Sequence, residues 1–275
     1  MKRTMCLAAA AVLLIYAVGC TGSRQVQKIQ SATLEDEALR YSSRFQRNFS
    51  LARYSLALDD ILQAEAIFDA LDMDRERAVS LNNAGVVLER LEKNSEAEAA
   101  YGKSLSLGRS AGDTRTVVAA LNNLAGIMVG EDPEKAMEFA REAEKISLKN
   151  GWSAAQAKAV HTMAILAMNS RDSGKAEELA NQALDLAVKG GSKGTESASL
   201  VTLSRITAGS GEFESAMELI QKAISIDRDR EDPFSIARDY EAMSYVQEKK
   251  GDMDGARESR EKAERIMEFL GLEEK

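Results

Sequence analysis

The core-forming residues of this chain recur with the period of an α-helix. Two stretches place them at relative positions 0, 3, 4 and 7: Leu81, Ala84, Gly85 and Leu88, and then Leu200, Leu203, Ser204 and Thr207. This spacing puts the residues on one face of an amphipathic helix. The pattern therefore predicts an all-α body and leaves no run for a β-sheet.

The helical pattern itself repeats about every 40 residues, with two helices in each unit. In the second helix of each unit a small residue falls in register, at Ala97, Ala136, Ala176, Ala216 and Ala256. The matching small residues of the first helices are Gly85, Ala125, Ala164, Ser204 and Ser244. Small residues on both faces let two helix axes approach to about 8 Å, the lower end of the usual range. A period of this length is typical of a solenoid.

The repeat sets the domain boundaries and several helix ends. We predict one repeat domain over residues 33–275, with a degenerate first repeat at about 33–74 and five clear repeats at about 75–270. Asp132-Pro133 and Asp232-Pro233 each combine an N-cap with proline at the first helical position. Ser95 and Glu98 have the spacing of a capping box, and Gly151 stands where a left-handed C-terminal cap is expected.

The N-terminal segment has the features of an export signal rather than of the repeat domain. Lys2 and Arg3 precede an uncharged run, Met5–Cys20, which is shorter than the roughly 20 apolar residues of a membrane-spanning helix. The run ends in Ala17-Val18-Gly19-Cys20, which resembles the lipobox of bacterial lipoproteins. That resemblance implies a signal peptide over 1–19, acylation of Cys20, including palmitate, and a polar tether over 20–32. An ordinary signal peptide or an uncleaved anchor is the alternative.

Cysteine content and charge fit export of an acidic body. Cys6 lies inside the predicted signal, so Cys20 is the one thiol of the processed chain, and no internal disulfide can form. Removing residues 1–19 changes the net charge from −8 to −10. Thr21 follows the lipidated cysteine, and the absence of aspartate there implies the outer membrane, facing the periplasm, in a host that has one.

The repeat itself resembles a known family. Leu81-x-x-Ala84-Gly85-x-x-Leu88, followed by Ala97-x-x-x-Tyr101-x-x-Ser104, is similar to the tetratricopeptide repeat. The units are forty rather than thirty-four residues long, and in this they resemble the repeats of kinesin light chains. The resemblance implies a right-handed α-solenoid that binds partners through the concave surface of its first helices.

The candidate ligand-binding residues also follow from the resemblance. Asparagines in the first helices of peptide-binding relatives contact the backbone of an extended ligand, and the matching residues here are Asn82, Asn83, Asn122 and Asn123. A side-chain amide can both donate to and accept from a peptide backbone. The alternative is that duplication simply carried solvated asparagines along. His161 takes the equivalent place in the next repeat, and we assign it a groove or packing role.

Composition and motifs narrow the class of function. With 36 basic against 44 acidic residues, the chain has no surplus of positive charge to bind the phosphates of a nucleic acid. One histidine and no metal-binding motif argue against an enzyme and imply no metal or cofactor. We therefore expect a lipid-anchored envelope scaffold that binds a protein or peptide.

The alternative function is a periplasmic small-molecule carrier or a transporter-associated ligand receptor. It would need a closed apolar pocket, which the mixed residues Arg238, Glu241 and Tyr245 do not supply. We also expect a monomer, because Arg260 replaces the packing residue Tyr101 in the last helix.

Overall fold

The computed structural model describes residues 32–272, and all regular secondary structure within that range is helical. This confirms the predicted all-α solenoid. Helix α1 covers 32–50. The others are α2 Tyr54–Ala70, α3 Asp74–Arg90, α4 Asn94–Ser110, α5 Thr114–Ile127, α6 Pro133–Asn150, α7 Ser153–Asn169, α8 Ser173–Gly190, α9 Lys193–Gly209, α10 Phe213–Asp229, α11 Pro233–Lys250 and α12 Met253–Phe269. The predicted signal, Cys20 and most of the tether lie outside the described residues.

The helices form two layers. Each odd-numbered helix from α3 to α11 pairs with the even-numbered helix that follows it, and consecutive odd-numbered helices also contact each other. The odd-numbered helices are the first helices of the repeats and form the inner layer. Within residues 32–272, no helix has both the length and the apolar character that a bilayer crossing requires.

Most turns between helices share one geometry, and this fixes the helix length. A left-handed residue recurs at 20-residue steps on both sides of α5, at Ala52, Asp72, Glu92, Gly112, Gly151, Arg171, Gly191, Gly211, Glu231, Gly251 and Gly271. In each case the next N–H bonds to the carbonyl five residues earlier, as Trp152 does to Ser147 at 2.9 Å. This is the Schellman arrangement. The predicted left-handed cap at Gly151 is confirmed, with φ of 68°.

The two series of small residues lie at the contact between the helices of each repeat. All five alanines of the second helices are at most 1% exposed, and their first-helix counterparts are buried as well. Gly85 has the strictest requirement, because a Cβ there would stand 2.4 Å from the Tyr101 ring. The register predicted from the sequence is therefore the packing register.

The predicted N-caps have different outcomes. The side chains of Asp132 and Asp232 accept from the backbone at the starts of α6 and α11, as predicted. The Ser95 capping box was a wrong prediction. The Schellman turn around Glu92 starts α4 at Asn94, so Ser95 is already the second helical residue, and α4 has no side-chain cap.

The superhelix closes on itself, since the fifth clear repeat reaches the first. Arg90, at the end of α3, pairs with Asp232, at the start of α11, at 3.2 Å. The Arg90 guanidinium also lies 4.4 Å from the centre of the Phe234 ring. Leu270 and Leu272, after α12, pack against the core of α1–α3. We call this set of contacts the seam.

Candidate functional site

The concave side of the inner helices forms a surface, which we call the inner face. The 40-residue register defines it through three rows of equivalent positions. They are Val79, Ala119, Lys158, Ala198 and Arg238; Asn82, Asn122, His161, Val201 and Glu241; and Val86, Gly126, Ile165, Arg205 and Tyr245. Because the seam closes the superhelix, these rows surround a concave space.

A hydrogen-bonded ladder runs across the first part of the inner face. The Asn123 side-chain amide on α5 donates to Asn82 Oδ1 on α3 at 2.9 Å. Lys158 on α7 donates through Nζ to Asn123 Oδ1. The Asn123 amide thus links three consecutive inner helices, and the residue is only 6% exposed. Both ends of this amide are engaged within the protein.

Asn122 also has a contact within the protein. It is 2% exposed, and its Nδ2 donates to the Ala155 carbonyl on the next inner helix at 3.0 Å. Its Oδ1 is buried without a hydrogen-bond partner among residues 32–272. Asn122 therefore joins α5 to α7 and keeps one free acceptor.

His161 repeats this arrangement one unit later. Its Nε2 lies 3.2 Å from the Ala198 carbonyl on α9 and 3.0 Å from Thr202 Oγ1. The His161 pKa is lowered to about 4, mainly by burial; the contact with Ala198 raises it, and the positive charges of Lys158 and Arg238 lower it. The ring is therefore neutral at pH 7, and Nε2 carries the proton if it donates to Ala198.

The predicted asparagines differ in how available they are. Asn83 is half-buried and has no hydrogen bond to the described part of the chain. Asn82 keeps its amino group free, while Asn122 and Asn123 are mostly engaged between repeats. The structure gathers Asn82, Asn122 and His161 on one face. Contact with a ligand stays a prediction for all five residues.

Sequence reasoning named Arg238 as a mixed residue but missed the other cations of the inner face. Lys158 and Arg238 occupy the same register position two repeats apart, and Arg205 lies on α9 between them. Lys158 is accessible to solvent, but it stands in the concave space, where the surrounding helices displace water. This desolvation lowers the pKa of its ammonium group.

Glu89, at the end of α3, holds the two helices of its repeat together. The Tyr101 hydroxyl donates to Glu89, and Tyr101 is fully buried. In the last repeat the equivalent residues are Arg260 and Glu248, which form an ion pair. Arg260 therefore makes, in the last repeat, a contact between the same two helix positions as Tyr101 makes in the first clear repeat.

The described residues, 32–272, contain no group of three or more His, Cys, Asp or Glu side chains that could hold a metal ion.

Comparisons with known proteins agree with this architecture. Residues 197–230 match the family model described as tetratricopeptide repeat. Comparison of the sequence with curated proteins gives no match. The chain is similar in structure to a Rap protein complexed with competence and sporulation factor, with a TM-score of 0.71, 17% identity, and coverage of 86% of this chain and 65% of that one.

Two further structures have the same fold. The Rap conjugation gene regulator of plasmid pLS20, in complex with the Phr* peptide, has a TM-score of 0.71, 14% identity, and coverage of 86% and 64%. NprR in complex with its cognate peptide NprX has a TM-score of 0.59, 12% identity, and coverage of 93% and 79%. The chain spans less than two thirds of the length of both Rap proteins. At these identities the likeness concerns the fold.

Proposed function

We propose that the chain is a scaffold that binds an extended protein or peptide segment along its inner face. It contains a tetratricopeptide repeat, and its solenoid has the fold of a Rap protein. The observation that carries the proposal is the composition of that face. It offers the free amino group of Asn82 together with partly buried apolar side chains such as Val86 and Ile165. The solved structures of a Rap protein and of NprR with bound peptides support the same use of this fold.

The proposal assigns no catalytic activity to the chain. Its one histidine is neutral at pH 7 and is held between two repeats by Ala198 and Thr202. That position suits a residue that fixes the inner face.

A glycine on the inner face allows a direct test. A Cβ at Gly126 meets no atom within 4 Å, so Gly126→Trp would project a ring into the concave space without disturbing α5. We expect full-length protein with this change to lose the partners that the wild type captures by cross-linking in the envelope. Mass spectrometry of the captured proteins measures the loss.

Gly102 on the outer helix α4 provides the matched control. It is exposed and equally open to an added side chain, so Gly102→Trp adds the same ring to the other layer. The control should capture the wild-type partners. An unchanged partner set with Gly126→Trp contradicts binding along the inner face.

The second part of the proposal is a lipid on Cys20 that anchors the scaffold in the cell envelope, in the outer membrane and facing the periplasm. The apolar run before Cys20 and the tether after it support this placement. We expect labelled palmitate to enter the wild-type protein and to be absent from Cys20→Ser. Undiminished labelling of Cys20→Ser contradicts the anchor and leaves the peptide-binding proposal untouched.

A further inference from the structure

Three cations on consecutive inner helices have no carboxylate partner. Lys158 lies on α7, Arg205 on α9 and Arg238 on α11, and within residues 32–272 none of them forms an ion pair within 4 Å. Many other basic side chains are paired, among them Arg77 with Glu65 and Arg109 with Glu142. Positive charge that is left unpaired in a concave space is available to a ligand.

The curvature of the solenoid brings these cations into one electrostatic environment. Arg238 on α11 lowers the pKa of Arg205 on α9, after the larger effect of burial. It also lowers the pKa of His161 on α7, two repeats away. Arg205 and Arg238 are both exposed on the inner face, on the adjacent helices α9 and α11, so their charges share the concave space.

The acidic groups around this space neutralise its positive charge only in part. Glu89 keeps its negative charge when it accepts from the Tyr101 hydroxyl, and that charge acts on Lys158. Asp232 is paired with Arg90 across the seam. Glu248 is paired with Arg260. Glu241 acts on Arg205, so Glu89 and Glu241 together leave one of the three cations in excess. A local positive field therefore exists in a protein of net charge −8.

The neighbours of the cations indicate what else the ligand contains. Tyr245 is 38% exposed, and the Arg205 guanidinium lies 5.8 Å from its ring centre. Ile165 and Val201 occupy neighbouring positions of the inner face and are only partly buried. Apolar side chains beside cations suit a peptide that carries both apolar residues and carboxylates.

We infer that the C-terminal half of the inner face binds an acidic peptide segment whose carboxylates contact Arg205 and Arg238. The inference rests on the proposed function and names the chemistry of the ligand. Side-chain carboxylates and a free C-terminal carboxylate share that chemistry.

The experiment selects short random displayed peptides on purified full-length protein. The test variant is the double substitution Arg205→Gln with Arg238→Gln, since neither side chain has a hydrogen bond to the described residues and the fold should persist. The control variant is Arg141→Gln with Lys222→Gln, which removes the same charge from exposed positions of the outer helices. We expect wild type and control to select peptides rich in Asp and Glu, and the test variant to lose that preference.

Synthetic versions of a selected peptide then measure the effect. We expect the Arg205 and Arg238 double variant to bind about tenfold more weakly, as for two ion pairs. Asp-to-Asn and Glu-to-Gln changes in the peptide should cause a similar loss if side chains are bound. Amidation of the C-terminus should cause it if the terminus is bound.

The other outcomes overturn the inference, and they show whether the proposed function fails with it. Selected peptides without acidic residues, or an unchanged affinity in the double variant, overturn the acidic ligand alone, provided that Gly126→Trp still blocks binding. Peptides that bind Gly126→Trp as well as wild type, or no selected peptide at all, overturn the proposed function together with the inference.

Discussion

Asn123 illustrates how one residue can resemble a ligand-binding group and still hold the fold together. Its amide donates to Asn82 and accepts from Lys158, so it joins three inner helices. Asn83, the counterpart of Asn123 one repeat earlier, has no such bond within the described residues. Asparagines of one repeated motif therefore have different physical roles.

This difference gives a stability prediction. Asn123→Ala should lower the free energy of unfolding by about 1 to 3 kcal/mol, because the amide is buried and its partners lose their hydrogen bonds. Asn83→Ala should change it by no more than about 0.5 kcal/mol. Urea denaturation of both variants provides the measurement. Equal effects would contradict the assigned ladder.

The single histidine gives a second prediction at this scale. Burial lowers the folded-state pKa of His161 to about 4, while the unfolded value is about 6.5. Its neutral form therefore favours the fold above pH 6.5, and that contribution is lost as pH falls towards 4. The full loss is on the order of 3 kcal/mol.

An NMR titration of the one imidazole measures this pKa directly. His161→Gln should weaken the pH dependence of stability between pH 6.5 and 4. A folded-state pKa near 6.5 would contradict the burial of the imidazole.

At the scale of elements, the turn geometry decides where helices begin and end. The left-handed residues recur every 20 residues on both sides of α5, and several of them are not glycine. Arg171, with φ of 63°, is exposed and has no ion pair among the described residues. Gly151 occupies the equivalent turn after α6 with φ of 68°.

Opposite substitutions at these two turns should have opposite effects. Gly151→Ala should destabilise the protein by about 1 kcal/mol, because a Cβ disfavours the left-handed region. Arg171→Gly should stabilise it by up to about 1 kcal/mol, because it relieves that cost. Thermal unfolding compares the two with the wild type. A stabilising Gly151→Ala would contradict the turn assignment.

At the scale of the whole molecule, the seam turns an open array into a closed one. Arg90 pairs with Asp232 and stacks on Phe234, and both charged side chains are largely buried. The Arg90 charge helps to hold the Asp232 pKa below its ordinary value, although burial acts in the opposite direction. The ion pair therefore persists at neutral pH and weakens in acid.

Removing Arg90 should open the seam. Arg90→Gln should cost about 2 kcal/mol, from the ion pair and the cation–π contact together. Spin labels at Glu92→Cys and Glu268→Cys should report one narrow distance in the wild type and a broad, longer distribution in the variant. The exposed bridging pair Arg109 and Glu142 is the control, and Arg109→Gln should leave the distance unchanged. A narrow distance in Arg90→Gln would show that the apolar contacts alone close the ring.

The sequence by itself determined the helix pairs and their register. A small residue that recurs every 40 positions marks the same face of each successive helix. The series that include Ala97 and Gly85 were therefore enough to predict how the two helices of each repeat pack. The caps at Asp132 and Gly151 were predictable because they involve only neighbours along the chain. Ser95 was not, because the turn before α4 overrides its capping pattern.

Only the tertiary structure decided which polar residues meet. Asn123 and Asn82 are 41 residues apart, and Arg90 and Asp232 are 142 apart. Contacts at such separations depend on the accumulated rotation between repeats, which small differences in packing set and which no local pattern encodes. The ladder, the seam and the shared space of Arg205 and Arg238 are products of that curvature.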